Sequence, residues 1–196
     1  SKPRWGQCTL QGQSAELVTV RGPTTRRLHR PAYSREAVPG SVLVCVTANL
    51  QGANIARADS RLKWASLVDC AREGKWDVAF LSELHTPEEE AHSIVRVEEF
   101  TLVLGGSCGI LLAPSVAQIF WRARRQPLYC TSGRIVLLPI LLAGREYVFG
   151  SLYAPHSSRP LAERQAFLED LTAMCNAILP SARRFFGGDW NASVFK

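Results

Sequence analysis

Two short apolar runs, SVLVCVTAN (41–49) and WDVAFLSE (76–83), limit most strongly what this chain can fold into. Both read as buried strands, the first rich in valine. Between them, ADSRLKWASLVDCARE (58–73) has the pattern of a helix. Asp59 or Ser60 is its expected cap, Leu62, Ala65, Leu67 and Val68 its apolar positions, and Gly74 its stop. A buried strand–helix–strand unit calls for a sheet covered by helices, with polar groups of consequence at the strand ends.

The rest of the chain extends that pattern. HTPEEEAHSIVR (85–96) predicts a short helix, with Thr86 as cap, Pro87 in the first turn and three glutamates facing the helix dipole. VEEFTLVL (97–104), CGILLA (108–113), AQIFWR (117–122), RIVLLPI (134–140), EYVFGSLYAP (146–155) and the closing RRFFGG read as strands. SRPLAERQAFLEDLTAMCNAILP (158–180) predicts a helix bounded by Pro160 and Pro180. Its apolar stripe is Leu161, Phe167, Leu168, Leu171, Met174 or Cys175, and Ile178. The expected class is α/β, with strand–helix–strand units flanking antiparallel strands.

At 196 residues and 46% hydrophobic, the chain can bury one substantial core, assigned to residues 41–196. Residues 1–40 show no sustained periodicity and contain four prolines, which predicts an extended, partly disordered arm. The arm carries net charge +5, through residues that include Arg21, Arg26, Arg27 and Arg30, whereas residues 41–196 carry only +1. On the body the clearest basic stripe is WRARR, with Arg122, Arg124 and Arg125. These seven arginines are the candidate nucleic-acid contacts. No apolar run approaches the ~20 residues that span a bilayer. The six cysteines are scattered without zinc-finger spacing, so they read as free thiols in a reducing, intracellular compartment. Nucleus, cytoplasm and mitochondrion all remain open.

Four strand ends carry polar groups where apolar ones would be expected. TANLQG offers Asn49 and Gln51, LSELH offers Glu83, SLYAPHS offers Tyr153 and His156, and GGDWNA offers Asp189 and Asn191. Each has an ordinary reading on its own. Glu83 can be a surface or capping residue, Tyr153 a core ring, His156 a loop residue and Asn49 a turn cap.

As an ordered set, Asn-x-x-Gly, strand-Glu, strand-Tyr-x-Pro and Gly-Asp-x-Asn resemble the endonuclease/exonuclease/phosphatase family. That family includes deoxyribonuclease I, the apurinic/apyrimidinic endonucleases and the endonuclease domains of non-LTR retrotransposons. The retrotransposon branch is most similar, through LSELH, GGSCGILL, SLYAP and GGDWNA, and the resemblance covers residues 41–196. It implies a deoxyribonuclease I-like α/β/β/α sandwich with mixed, mainly antiparallel sheets, here incomplete. It also implies Mg2+-dependent phosphodiester hydrolysis. Glu83 would hold the metal beside Asn49 and Gln51, with an amide at Gln51 where many members have an acid. Asp189 would activate water, while Asn191 and Tyr153 would donate to phosphate oxygens.

The family's Ser-Asp-His segment has no counterpart here: no such triplet occurs, and the histidines are His29, His85, His92 and His156. The resemblance therefore implies a truncated endonuclease-like domain, inactive alone or dependent on a complementing chain that covers an open sheet. The alternative is a non-catalytic pseudoenzyme, a subunit of a ribonucleoprotein or other large complex. It would dock through its basic arm and sheet edges, with RNA in place of DNA. A third reading keeps the family and changes the substrate to a phosphoinositide, a sphingolipid or a poly(A) tail.

Overall fold

The two apolar runs are buried on both faces, as strands between two packed layers must be. The computed structural model describes residues 9–10, 13–21, 42–55, 57–142 and 144–191. The first run is β3 (Val42–Ala53) and the second β4 (Val78–Leu84), parallel neighbours joined through α1 (Arg61–Glu73). From β3, Val44, Val46, Ala48 and Leu50 face one way, into a cluster with Trp64, Leu67, Val68 and Ala71 of α1. Leu43 and Cys45 face the other way, towards the second sheet. Burying side chains of this size contributes about 1.5–3 kcal/mol each.

Strands β1 (Thr9–Leu10) and β2 (Gln13–Arg21) precede β3, and β5 (Ile94–Val97), β6 (Phe100–Leu104) and β7 (Cys108–Leu112) follow β4. Among the described residues they form a seven-stranded sheet in the order β1-β2-β3-β4-β7-β6-β5. Then come α2 (Pro114–Ala123), β8 (Leu128–Tyr129), β9 (Ile135–Leu142), β10 (Arg145–Tyr153), α3 (Leu161–Asn176) and β11 (Arg183–Asp189). The second sheet has the order β11-β10-β9-β8. Only β3–β4 and β10–β11 pair in parallel; every other described pair is antiparallel.

The inner faces of the two sheets meet in one core. Phe80 of β4 lies 6.3 Å from Phe149 of β10, which stacks at 5.9 Å on Phe185 of β11. Val116, Ala117 and Phe120 of α2 join this cluster. On the outer face of the second sheet, Ile135, Leu137, Val148 and Leu152 pack with Phe167 and, less deeply, with Leu171 and Met174 of α3.

Several expectations need correction. AQIFWR is helical, not a strand: Pro114 starts α2 at its first turn, and burial follows a helical face through Val116, Ala117 and Phe120 while Trp121 is exposed. HTPEEEAHSIVR is not one helix. Its glutamates make a single 3-10 turn, His92 turns the chain at φ +61°, and Ile94–Val97 pairs with β6. In α1 the apolar face runs through Trp64, Leu67, Val68 and Ala71, leaving Leu62 72% exposed. Ser60 does not cap the helix with its side chain; its hydroxyl accepts from the Asn54 amide instead. In α3, Leu161 and Leu168 lie exposed on the flank of the expected stripe.

Within the segment read as an arm, Gln13–Arg21 adds an antiparallel strand to β3, with Ala15 opposite Ala48 and Arg21 opposite Val42. LVTV at its centre has the β-branched composition that suits a strand. Arg26, Arg27 and Arg30 lie outside the described residues. No described helix is long and apolar enough to cross a membrane. Cys45, Cys108, Cys130 and Cys175 are free thiols. Burial, with Asp77 nearby, pushes the Cys45 thiol up to about 12, and burial holds the Cys108 thiol well above its usual range. Both are therefore protonated and inert.

Candidate active site

The parallel pairs β3–β4 and β10–β11 end on the same rim. Along β3, Asn49 shares the inter-sheet face with Cys45 and Thr47 by alternation. Asp189 likewise shares that face with Phe185, and Tyr153 with Tyr147 and Phe149. Parallel register sets Tyr153 directly opposite Asp189.

Glu83 needs a different device. Regular alternation would turn it to the α1 side with Ala79 and Leu81. Instead its φ is +55°, the β3–β4 register shifts around it, and the carboxylate accepts from Asn49 Nδ2 at 2.8 Å. Gln51 and Asn191 also adopt left-handed backbone, at φ +45° and +46°. Such conformations cost about 1–3 kcal/mol each in non-glycine residues, and they gather where a site over-determines the chain.

The same Asn49 nitrogen also donates to Asp189 Oδ2 at 3.3 Å, so one amide joins two carboxylates that lie more than a hundred residues apart in the chain. The Asn49 carbonyl oxygen is held by the Gln51 backbone N–H at 2.9 Å, which fixes which way the amide points. Asp189 Oδ1 accepts from the Asn191 backbone N–H at 2.9 Å. The Asn191 side chain donates one N–H to the Ala154 carbonyl at 2.7 Å, leaving its second N–H free to donate elsewhere. The Gln51 side chain is exposed, and Lys63 Nζ donates to the backbone carbonyls of Leu50 and Gln51.

Two glycines make this approach possible. A Cβ on Gly187 would lie 2.3 Å from the Phe80 ring and 2.7 Å from Thr47 Oγ1. Gly188 has φ +120°, and a Cβ there would sit 2.0 Å from the Leu152 carbonyl oxygen. Gly187 thus lets β11 close onto β3 and β4, and Gly188 lets it lie tightly against β10.

Tyr153 borders both acids. Burial first, then the charges of Glu83 and Asp189, raise its phenol above the usual value, and Arg134 opposes them. The phenol is therefore a neutral donor at physiological pH. Arg134 lies 5.1 Å over the Tyr153 ring, donates to the Tyr153 carbonyl and pairs with Glu163 at 3.3 Å. The sequence reading missed Arg134; its signal was a charge placed directly before an apolar strand, after Gly133.

Among the described residues neither Glu83 nor Asp189 forms an ion pair with lysine or arginine. Nor do the described residues contain a group of three or more His, Cys, Asp or Glu side chains able to hold a metal. Two carboxylates sharing one neutral donor suit a hard cation that keeps most of its waters, as magnesium does. Glu83 is the charged oxygen that would hold such an ion, with the Asp189 carboxylate beside it. Asn49, with both ends of its amide engaged, acts as their spacer.

The described histidines have contacts of their own. His85 packs its ring against Gly52, and His156 bonds Ser158 through Nδ1 at 2.8 Å. His92 stacks on Tyr129 at 4.6 Å. The basic stripe is elsewhere. Arg122 and Arg124 are exposed at the end of α2, and Arg125 faces Glu146 at the start of β10, the opposite end from Tyr153. Arg21 pairs with Val42 at the start of β3, again opposite Asn49. At about 3.3 Å per residue, these ends lie roughly 23–26 Å from the rim.

No protein-family model and no curated protein matches the chain. Solved structures do. The endonuclease domain of TRAS1, a telomere-specific non-LTR retrotransposon, aligns with a TM-score of 0.51 at 19% identity, over 76% of this chain and 61% of that one. The fold is the deoxyribonuclease I-like one. D. rerio TDP2, humanized by 14 mutations, aligns with a TM-score of 0.52 at 18% identity, over 78% of this chain and 63% of that one. This chain thus spans about six-tenths of the length of either structure. In this deoxyribonuclease I-like fold the polar strand ends picked out from the sequence converge on one rim, while the arginine stripe does not join them.

Proposed function

We propose that this rim is a magnesium-dependent phosphodiesterase site of the DNA endonuclease type. The observation that carries the reading is the single Asn49 amide bridging Glu83 and Asp189, two acids that no described cation neutralises. Magnesium, when bound, neutralises phosphate charge and polarises the phosphoryl group. Glu83 holds the ion. Asp189, steadied by the Asn191 backbone N–H, orients and deprotonates the attacking water. The neutral Tyr153 phenol and the free N–H of Asn191 donate to phosphate oxygens as charge builds. DNA is the substrate favoured by the TRAS1 likeness.

These 196 residues contain no Ser-Asp-His triplet. On this proposal a phosphate-binding histidine is supplied from outside them, and hydrolysis by these residues alone is slow. The test therefore has two arms: binding of magnesium by calorimetry, and nicking of supercoiled plasmid with magnesium. Glu83→Gln is expected to weaken magnesium binding at least tenfold. Glu83→Gln and Asp189→Asn should each reduce any nicking about 100-fold or more. Metal-independent nicking, or magnesium binding unchanged in Glu83→Gln, would overturn the assignment.

A second reading, a non-catalytic subunit of a larger complex, draws on the leucines Leu161, Leu168 and Leu179 exposed on and just beyond α3. It expects no magnesium binding by the wild-type chain, and the calorimetric arm separates the two.

A further inference from the structure

Only the two sheets' convergence brings Glu83, Asn49, Tyr153 and Asp189 together, so whatever sets the sheets' mutual offset sets the site. Apolar packing between inner faces is tolerant of small slides, because phenylalanine and valine surfaces have no directional preference. Two buried or half-buried hydroxyls do have one. Thr47 Oγ1 of β3 accepts from the Gly188 backbone N–H of β11 at 3.2 Å. Ser151 Oγ of β10, fully buried, donates to the Leu81 carbonyl of β4 at 2.9 Å. Both bonds run from one sheet to the other.

Their positions relative to the rim are the point. Thr47 lies two residues before Asn49, and its partner Gly188 is one residue before Asp189. Ser151 lies two residues before Tyr153, and its partner Leu81 two before Glu83. Every strand that contributes a polar group to the site is therefore tied to the opposite sheet within two residues of that group. Gly187 belongs to the same device, since only an absent side chain lets Thr47 and Phe80 come so close to β11.

We infer that Thr47 and Ser151 are positioning residues, paired cross-sheet pins that set the spacing of the Glu83 and Asp189 carboxylates around the Asn49 amide. They touch no substrate and act through strand offset alone. Their effect is distinct from general stability: a core residue of the same burial, without a directional bond, would lower stability and leave the Asn49 amide in place.

The inference uses the proposed magnesium site for only one of its two readouts. The first needs no metal: exchange of the Asn49 side-chain N–H protons in nitrogen-15 NMR of the whole chain. Thr47→Val and Ser151→Ala are each expected to speed that exchange at least tenfold, while Thr47→Ser, which keeps the hydroxyl, stays within twofold of wild type. The control is Ile140→Val, between the sheets near their far end; it should lower Tm by a few degrees and leave the Asn49 exchange within twofold. Exchange unchanged in Thr47→Val and Ser151→Ala, or equally quickened by Ile140→Val, overturns the inference. Should Thr47→Val fail to fold, Ser151→Ala decides alone, since it removes one oxygen and no packing carbon.

The second readout is binding of magnesium alone, expected to weaken at least fivefold in both variants and to recover in Thr47→Ser. Wild-type binding matched by both variants overturns the pins. Absence of binding in the wild type would instead defeat the functional proposal, and the exchange measurement would still decide the role of Thr47 and Ser151.

Discussion

Gly188 shows how narrow the tolerance is at single positions. Its φ of +120° is closed to ordinary L residues, and an added Cβ would meet backbone, which cannot swing aside. Gly188→Ala is expected to cost about 3 kcal/mol or more of unfolding free energy in urea. Tyr153 offers a second residue-scale measurement. Its phenol is raised by burial and by Glu83 and Asp189, and lowered by Arg134. An unfolded tyrosine ionises near pH 10. The stability that the half-buried neutral phenol contributes is thus complete below that pH and is lost as pH rises through the higher folded value. Glu83→Gln should shift the absorbance titration of Tyr153 down, and Arg134→Met should shift it up. A titration indifferent to Glu83→Gln would place that carboxylate away from the ring. Much of this was legible beforehand: an acid or amide ending an apolar strand stands out, which is why Asn49, Glu83, Tyr153, Asp189 and Asn191 could be named. What could not be read was how Glu83 reaches them, since its left-handed turn depends on a partner on another strand.

At the scale of elements, periodicity was reliable where runs were long and failed where they were short. The buried strands β3, β4, β9 and β10 have continuous apolar stretches that nothing else explains. Ala117–Arg122 is too short to discriminate: Ile119, Phe120 and Trp121 suit a strand by composition, yet Pro114 and the contacts of Phe120 between the sheets select a helix. Helical burial makes a sharp distinction between adjacent rings. Phe120→Ala should cost about 3–5 kcal/mol, whereas Trp121→Ser, at a side chain 53% exposed, should cost under about 1 kcal/mol. Equal losses at both positions, measured by denaturant unfolding, would contradict the helix. Strand β2 was hidden for another reason. LVTV sits among prolines and arginines, and a strand whose partners are the two-residue β1 and the distant β3 leaves no local trace beyond four residues.

At the scale of the whole molecule, the described basic stripe lies away from the candidate site. Arg122, Arg124 and the Arg125–Glu146 pair sit at the strand starts, far from the rim of Asn49, Glu83 and Asp189. Exchange of Arg122 and Arg124 for serine should therefore leave magnesium affinity within twofold. A large loss would mean that this end communicates with the rim. Any contribution of those arginines to DNA affinity would appear as salt dependence, with the slope falling by about one for each phosphate contact removed.

The span between Asn49 and Asp189 also has a consequence in time. Ribosomes add about 5–20 residues per second. A growing polypeptide therefore carries Asn49 and Glu83 for several seconds before Asp189 is even polymerised. In that interval half of the acidic pair has no counterpart, and no local folding can supply one. The pair of acids on this rim is therefore complete only once β11 has left the ribosome, and the earlier strands wait for it.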